Sequence, residues 1–282
     1  MKEKKPSVDL SGAYKVLRYV LSPVIHGTAK THWQGMENVP KKGPFILAPN
    51  HVSTYDPLLM SYAIALQGFQ VRFLSKESMF KVPVLGWFMR KVGMIPVLRG
   101  GGDGADSLAH ARQALEEGAV VGIYVEGTLT RDPAFWPMKG KTGLARLALD
   151  QRVPVIPVVQ WGTQDVLDRY GHFHPSTLLK RPNLYVRALP ALDYSDIEGD
   201  STNREGVREL TQRLQETLTS GLSDLRQEAA PEEVWDMKTM GPGKPELKRL
   251  AKWRWNLRKA TGRQDVLPAT PGAKTIILEV RD

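Results

Sequence analysis

Residues 45–57 read FILAPNHVSTYDP, and this stretch decides the fold because it joins a strand, a loop and a helix. The apolar run at residues 45–48 is typical of a buried strand. Asp56 and Pro57 predict a helix start, with the aspartate as N-cap and the proline at the first helical position. His51 then lies in the connecting loop, five positions before Asp56.

The spacing of His51 and Asp56 suggests a chemical pairing. In a continuous helix five positions would turn the two side chains apart, whereas a tight loop can fold them together. An aspartate beside a histidine fixes the tautomer of the ring and favours its protonated form, as a general base requires. A purely structural hydrogen bond explains the same spacing, and Ser53 and Thr54 are also ordinary capping residues. Spacing alone leaves both interpretations open.

Strands and helices alternate along most of the chain. The patterns predict strands at residues 30–35, 45–48, 71–74, 94–97, 119–125, 153–159 and 184–188. They predict helices at residues 10–30, 57–66, 84–91, 106–117, 142–150 and 203–225. Pro23 is expected to kink or end the first part of the first helix. This alternation predicts an α/β fold with helices on both faces of the sheet.

Composition excludes several kinds of chemistry. None of the 282 residues is a cysteine, which excludes a thiol nucleophile, a cysteine-ligated metal and disulfides. The spacing of the histidines does not suggest a metal site. The net charge of +9 predicts anionic partners: nucleic acid, phosphorylated small molecules or an acidic membrane surface. No apolar run reaches the ~18 residues of a membrane-spanning helix, and residues 1–6 lack the apolar core of a signal peptide.

Both ends of the chain have amphipathic or basic character. Residues 10–30 predict an amphipathic helix that either packs on the core or lies in a membrane interface, with Val20, Leu21 and Val24 on its apolar face. Residues 244–263 carry eight basic residues against one acidic residue, interleaved with Trp253 and Trp255. That pattern favours binding to a membrane surface. Nucleic-acid binding and a solvated helix are the alternatives.

Three further motifs follow the histidine loop. They are GMIPVLR at residues 93–99, VEGT at 125–128 and VIPV at 155–158. Together with residues 50–57, they resemble the four sequence blocks of the glycerolipid acyltransferase family, in the same order. The resemblance spans about residues 33–189. It implies a single mixed, largely parallel β-sheet flanked by helices, with an N-terminal amphipathic helix and a basic C-terminal extension.

The resemblance also implies an activity. It implies transfer of a fatty acyl group from acyl-CoA or acyl-carrier protein to the sn-2 hydroxyl of 1-acylglycerol-3-phosphate, which gives phosphatidic acid. His51 resembles the general base of the family and Asp56 its orienting partner. No covalent acyl-enzyme is required, which agrees with the absence of cysteine. Beyond the acyl donor as co-substrate, we expect no cofactor and no metal.

The resemblance assigns a phosphate and glycerol site as well. Its expected members are Lys76, Arg99, Glu126, Gly127, Thr128 and Arg131. A glycine turn can expose N–H groups to a phosphate, and arginine offers it a planar fork.

Two members of this predicted site leave alternatives open. Glu126 either binds glycerol hydroxyls or orients Arg99. The family usually places arginine directly after Glu-Gly-Thr, whereas here Leu129 and Thr130 intervene. Either Arg131 reaches the phosphate from a longer turn, or that contact is missing.

We therefore expect three parts: a membrane-associating helix at residues 1–30, an acyltransferase domain at 31–226 and a basic, tryptophan-containing extension at 227–282. The apolar residues 79–89 either line an acyl groove or dip into the bilayer. The expected partners are the acyl donor, a lysophospholipid acceptor and an anionic membrane surface, without nucleic acid. The expected location is peripheral, on the cytoplasmic face of the cell membrane.

Two other functions remain open. The first keeps the fold but changes the acceptor to a phosphatidylinositol mannoside or to glycerol-3-phosphate. The second is a non-catalytic protein that binds lipid or nucleic acid through its basic segment.

Overall fold

The computed structural model describes residues 12–97, 104–173, 175, 177–241 and 243. The strands are β1 Lys30–Gln34, β2 Ile46–Pro49, β3 Val71–Lys76, β4 Ile95–Val97, β5 Val120–Gly122, β6 Val155–Trp161 and β7 Asn183–Ala188. The helices are α1 Gly12–Thr28, α2 Asp56–Leu66, α3 Glu77–Phe80, α4 Pro83–Lys91, α5 Gly104–Glu116, α6 Gly143–Gln151, α7 Thr177–Lys180, α8 Arg204–Arg226 and α9 Met237–Met240. Short 3-10 helices occur at Met36–Asn38 and Thr163–Asp165.

The strands form one sheet in the order β1-β7-β6-β2-β5-β3-β4. Neighbouring strands are parallel at every pairing except that of β6 with β7. The predicted single mixed, largely parallel sheet is confirmed. The strand predicted at residues 119–125 is shorter than expected, because the chain leaves the ladder after Gly122 and turns where the N–H of Gly127 donates to the carbonyl of Tyr124.

The parallel strands β6, β2, β5 and β3 end at the same edge of the sheet. β2 lies between β5 and β6, so the loop that follows it has a neighbouring loop on each side. In open α/β sheets, ligands bind in the crevice outside the carboxyl ends of the strands. The topology therefore places the His51 loop at the centre of the edge where a site is expected.

Apolar cores cover both faces of the sheet. Ile46 and Ala48 of β2 belong to a core shared with α5, α6 and α8, whereas Leu47 belongs to a second core shared with α1 and α2. Successive side chains of a strand point to opposite faces, so an uninterrupted apolar run is needed where both faces are covered. The predicted arrangement of helices on both faces is confirmed.

Helix α1 differs from the sequence prediction in the face that it buries. The helix continues through Pro23 to Thr28, so of the two predicted effects of the proline an end is excluded and a kink stays a prediction; Leu21 and Ile25 are buried on either side of the proline. Their packing holds both parts of α1 against the core. Val20 and Val24, which were expected to share the face of Leu21, are exposed instead. None of the helices that the structure describes combines the length and the hydropathy needed to cross a membrane.

The end of α8 fixes a loop close to the sheet edge. Arg226 is fully buried between the rings of Trp136 and Trp161, with its guanidinium carbon 4.2 and 4.1 Å from their centroids. The guanidinium donates to the carbonyl of Ala134 at 2.9 Å and to Glu228 at 2.6 Å. It therefore joins the helix to residues 134–136. The basic segment at residues 244–263 lies outside the described residues.

Candidate active site

His51 and Asp56 meet in the loop between β2 and α2. The Nδ1 atom of His51 lies 2.9 Å from Oδ2 of Asp56. Asp56 is the first residue of α2, and Tyr55 occupies the N-cap position without a side-chain cap. The prediction that Asp56 is the N-cap is therefore wrong. Its carboxylate turns back into the loop and binds the histidine instead.

The Asp56 carboxylate is fully buried and receives four hydrogen bonds. Besides His51, the N–H groups of Val52 and Ser53 donate to Oδ2 at 2.7 and 2.9 Å. The hydroxyl of Thr163 donates to Oδ1 at 2.5 Å. A buried charge is tolerated when hydrogen bonds replace its hydration. Because the carboxylate accepts the Nδ1 proton, Nε2 of His51 keeps its lone pair and can accept a proton.

One face of the His51 imidazole is covered by an aromatic ring. The ring of Tyr124 stacks on it with centroids 3.8 Å apart and an interplanar angle of 17°. Phe73 stacks on the other side of Tyr124 at 5.2 Å. The His51 side chain keeps 14% exposure, and its Nε2 has no hydrogen-bond partner within the described part of the chain. The ring is held in place while this nitrogen stays available.

The loop after β5 holds the backbone of His51. The N–H of His51 donates to Oε1 of Glu126 at 3.0 Å, and its carbonyl accepts the N–H of Thr130 at 2.8 Å. The second oxygen of Glu126 accepts the N–H of Met138 at 3.0 Å. The Glu126 carboxyl therefore ties the His51 loop to the loop of residues 126–138.

Glu126 is almost fully buried, and its ionisation is shifted accordingly. Burial raises the pKa of this carboxyl from 4.5 to about 8. The N–H groups of Met138 and His51 act in the opposite direction, while the charges of Asp56 and Asp132 raise the pKa further. At pH 7 the carboxyl therefore holds its proton in most molecules.

A buried amide pair fixes the end of β2 to β6. The side chain of Asn50 donates to the carbonyl of Gln160 at 3.1 Å and accepts the Gln160 N–H at 2.8 Å. The side chain of Gln160 donates to the carbonyl of Asn50 at 2.9 Å. These three hydrogen bonds fix the residue directly before His51. The arrangement as a whole presents one imidazole nitrogen as a proton acceptor on a rigid support.

Known proteins of one family are similar to this chain. The family model "Acyltransferase" matches residues 30–161. The 1-acyl-sn-glycerol-3-phosphate acyltransferase of Borreliella burgdorferi is 30% identical over 193 residues, which cover 67% of each chain. A chloroplastic 1-acyl-sn-glycerol-3-phosphate acyltransferase of Brassica napus is 32% identical over 140 residues. The chain belongs to the glycerolipid acyltransferase family. The resemblance found in the sequence is confirmed.

The extent of these similarities differs. The match to the Brassica napus relative covers 49% of this chain and 39% of the relative, so the chain spans about two fifths of that protein. The crystal structure of a 1-acyl-sn-glycerophosphate acyltransferase from Thermotoga maritima superimposes with a TM-score of 0.55 at 21% identity. It covers 80% of this chain and 87% of that one. This likeness supports the fold of the family.

Two of the predicted phosphate ligands belong to the ends of β3 and β4 in the sequence. Lys76 is the last residue of β3 and is exposed, and it forms no ion pair with the described residues. Arg99 lies two residues beyond the end of β4, outside the described residues. β4 is the neighbour of β3, so both strands lead toward the same edge. Their predicted roles stay predictions.

The glycine turn is left-handed at Gly127, but the Gly127 N–H that was expected to face a phosphate donates to the carbonyl of Tyr124 at 2.8 Å. Gly127 has φ of +67°, which favours glycine, and a Cβ there would lie 2.9 Å from Cδ of Lys141. Thr128 beside it is half-buried. Lys141, which the sequence analysis did not consider, therefore lies along the predicted phosphate turn. Both carboxyl oxygens of Glu126 accept backbone N–H groups. These two hydrogen bonds do not support the predicted contact of Glu126 with glycerol or with Arg99, which stays a prediction.

Arg131 lies beyond a buried segment of the loop. Thr130 is fully buried, and its hydroxyl donates to the carbonyl of Trp136 at 2.7 Å. The guanidinium of Arg131 lies 5.8 Å from the ring centroid of Tyr170 and forms no ion pair in the described part of the chain. Thr130 therefore belongs to the support of His51, and the Arg131 guanidinium lies beside Tyr170.

Sequence reasoning missed several residues that shape the site. Tyr124, Thr163 and Gln160 contact the His51–Asp56 loop, yet none was singled out. Thr130 was noted only as a residue that separates Arg131 from the glycine turn, and its bond to His51 was not foreseen. Gly162-Thr163 directly follows β6, so a polar residue after a neighbouring strand end was the available signal for Thr163. Among the described residues, no three His, Asp or Glu side chains cluster closely enough to hold a metal ion.

Proposed function

We propose that the protein is an O-acyltransferase that acylates the sn-2 hydroxyl of 1-acylglycerol-3-phosphate and gives phosphatidic acid. The buried His51–Asp56 pair with its free Nε2 carries the proposal, because it is a general base aimed at one proton. The names of the Borreliella burgdorferi and Brassica napus relatives support this acceptor. The acyl donor is a thioester, either acyl-CoA or acyl-carrier protein.

The proposed reaction needs one proton transfer and one displacement. Nε2 of His51 takes the proton of the acceptor hydroxyl as its oxygen attacks the thioester carbon. The new C–O bond forms, the C–S bond breaks, and the proton on Nε2 passes to the departing thiolate. Asp56 stabilises the imidazolium that forms in between. The chain contains no cysteine, so the acyl group is not carried on a protein thiol. General-base help of this kind contributes about 10²–10⁴-fold.

The acceptor phosphate requires a cationic site beside the base. Lys76, Arg99, the Gly127-Thr128 turn and Arg131 are the residues we propose for it. Lys76 and Arg131 support the assignment because their charges are not neutralised by ion pairs in the described residues. Replacing each by alanine raises the KM for the acceptor and leaves kcat nearly unchanged, if the contact serves only binding.

We also propose that the enzyme works as a peripheral protein on an anionic membrane. Tyr19 and Val20 of α1 and Val84 and Trp87 of α4 are exposed apolar side chains. Basic residues flank the α4 group at Lys81, Arg90 and Lys91. Apolar insertion together with basic flanks is the pattern of interfacial helices. The basic segment at residues 244–263 is expected to add to this attraction.

A second acceptor is the alternative, although the names of the similar proteins do not favour it. Thr130 is built into the support of His51, so Arg131 sits farther along the loop than in the usual family motif. An arginine two positions farther along the chain suits a different headgroup, such as a phosphatidylinositol mannoside. Glycerol-3-phosphate is the smaller alternative.

The decisive assay offers the purified protein a labelled acyl-CoA with three acceptors in competition: 1-acylglycerol-3-phosphate, glycerol-3-phosphate and a phosphatidylinositol mannoside. Mass spectrometry identifies the product. Phosphatidic acid as the main product supports the first acceptor, and an acylated mannoside supports the second. Absence of acyl transfer with both acyl-CoA and acyl-carrier protein to every acceptor contradicts the proposal. Deleting residues 241–282 is expected to weaken binding to anionic vesicles while turnover of soluble substrates persists.

A further inference from the structure

The two oxygens of the Asp56 carboxylate have very different surroundings. Oδ2 accepts three hydrogen bonds, from the ring of His51 and from the N–H groups of Val52 and Ser53. Oδ1 accepts one, from the hydroxyl of Thr163 at 2.5 Å. Both residues are fully buried. Within the described residues, Thr163 is thus the partner that fixes the second oxygen and the plane of the carboxylate.

Thr163 is itself held firmly by the local backbone. It begins the short helix Thr163–Asp165 directly after β6, and its carbonyl accepts the N–H groups of Val166 and Leu167 at 3.0 and 3.1 Å. Gly162 precedes it with φ of +100°, where a Cβ would collide with the carbonyl of Asn183. Only glycine lets the chain turn there. The Thr163 hydroxyl that binds Asp56 is therefore held in place at the end of β6, 107 residues away from Asp56 in the sequence.

We propose that Thr163 is a positioning residue that orients Asp56 and, through it, the imidazole of His51. The inference rests on the proposed role of His51 as the base. Without the Thr163 hydroxyl, Oδ1 is a buried charged oxygen without a partner, and the carboxylate can rotate or admit water. The Nδ1 bond then loses its fixed direction. Thr163 is not exposed, so it cannot contact the acceptor. Its removal lowers kcat and leaves the acceptor KM unchanged.

The test compares Thr163→Val, Thr163→Ser and the control Thr217→Val. Valine keeps the shape of threonine and removes the hydroxyl, whereas serine keeps the hydroxyl. Thr217 lies on α8, where its hydroxyl donates to the carbonyl of Arg213. We expect Thr163→Val to lower kcat about tenfold or more, the range seen when a partner that orients a site histidine is removed. Thr163→Ser restores most of kcat, and Thr217→Val behaves as the wild type.

A proton NMR measurement adds a readout that does not depend on turnover. The proton between Nδ1 of His51 and Asp56 is expected to resonate far downfield, and it is assigned by its loss in His51→Ala. Thr163→Val shifts or broadens this resonance, whereas Thr163→Ser and Thr217→Val leave it in place. In the wild type, the Thr163 hydroxyl proton is expected to exchange slowly with water.

The outcomes separate this inference from the proposed function. Wild-type kcat and an unshifted resonance in a folded Thr163→Val variant overturn the positioning role. A kcat loss that Thr163→Ser fails to restore also overturns it. If Thr163→Val does not fold, a fast-exchanging Thr163 hydroxyl in the wild type contradicts the role and a slow one supports it. If the wild type transfers no acyl group, the proposed function fails, and the resonance alone then decides whether Thr163 orients the pair.

Discussion

Two histidine–aspartate pairs occur among the described residues, with nearly equal distances between nitrogen and oxygen but very different surroundings. Nδ1 of His51 lies 2.9 Å from Asp56, and Nδ1 of His172 lies 3.0 Å from Asp168. The side chains of the first pair are 14% and 0% exposed, and those of the second are 76% and 28% exposed. The distance between nitrogen and oxygen does not distinguish the two pairs. They are distinguished by burial, by the position of the first pair directly after a strand and by the contacts that support it.

The hydrogen bonds of the second pair stabilise the surface turn in which it lies. Oδ1 of Asp168 accepts the N–H groups of Tyr170 and His172 at 2.8 and 2.9 Å, which closes a surface turn. Partial burial acts to raise the pKa of Asp168, but hydrogen bonds from His172 and Tyr170 outweigh it and hold the pKa below its usual range. Exposed ion pairs contribute roughly 0–1 kcal/mol. The first pair differs because, besides its own loop, the chain after β5 and the chain after β6 both supply partners.

Replacing the aspartate of each pair is expected to give the largest difference in kcat between the two pairs. Asp56→Asn replaces a carboxylate that fixes the His51 tautomer, so kcat for acyl transfer falls about 10²–10⁴-fold. Asp168→Asn makes the same chemical change in the exposed pair and leaves kcat within about twofold. Steady-state kinetics with circular dichroism as a folding control measures both. Equal losses in the two variants would mean that the buried pair has no special role.

A smaller effect is expected in the pH dependence of the free energy of unfolding, through the buried carboxyl of Glu126. Its pKa is about 8 in the folded protein and near 4.5 when unfolded. Between these values the folded state binds more protons than the unfolded state, so the free energy of unfolding falls as pH rises. The slope from this group is about 1.4 kcal/mol per pH unit within that window and vanishes above and below it.

Glu126→Gln removes this titration and keeps an oxygen for the His51 N–H. Urea unfolding of the wild type and of Glu126→Gln at pH 5, 7 and 9 measures the difference. From pH 5 to pH 9, the free energy of unfolding of the wild type is expected to fall relative to that of Glu126→Gln, because only the wild type must ionise this buried carboxyl. Parallel pH dependences in the two proteins would show that Glu126 is ionised throughout and that its burial is compensated by its two N–H donors.

The smallest effect is expected at the ring that supports His51. Tyr124→Leu removes a stacking contact worth about 0.5–1.5 kcal/mol, so kcat falls about two- to tenfold. Tyr124→Phe keeps the ring and most of the activity. The matched change beside the second pair is Tyr170→Leu, since Tyr170 lies 6.2 Å from the ring of His172. A loss in Tyr170→Leu as large as that in Tyr124→Leu argues against a specific role for the stack.

Local patterns predicted most of the fold and the central pair of the site. The apolar run before His51 gave the strand, and Asp56-Pro57 placed the helix start within one residue. The two side chains of the pair are only five positions apart, so a loop prediction was enough to bring them together. The resemblance to the family blocks then supplied the expected neighbours of the pair at other strand ends.

The remaining contacts join residues too far apart for such patterns. Glu126 lies 75 positions from His51, and Thr163 lies 107 positions from Asp56. Sequence alone could not reveal that Glu126 bonds backbone N–H groups, because that depends on how the loops of β2 and β5 meet. The exposure of Val20 and Val24 depends in the same way on which face of α1 meets the sheet.

The most direct test of the account compares His51→Ala with His172→Ala in one assay of acyl transfer to 1-acylglycerol-3-phosphate. Each variant removes one imidazole from a pair of the same length. The account predicts that His51→Ala loses at least about 10²-fold in kcat while remaining folded, and that His172→Ala keeps wild-type kcat. Activity of His51→Ala close to that of the wild type would contradict the central claim.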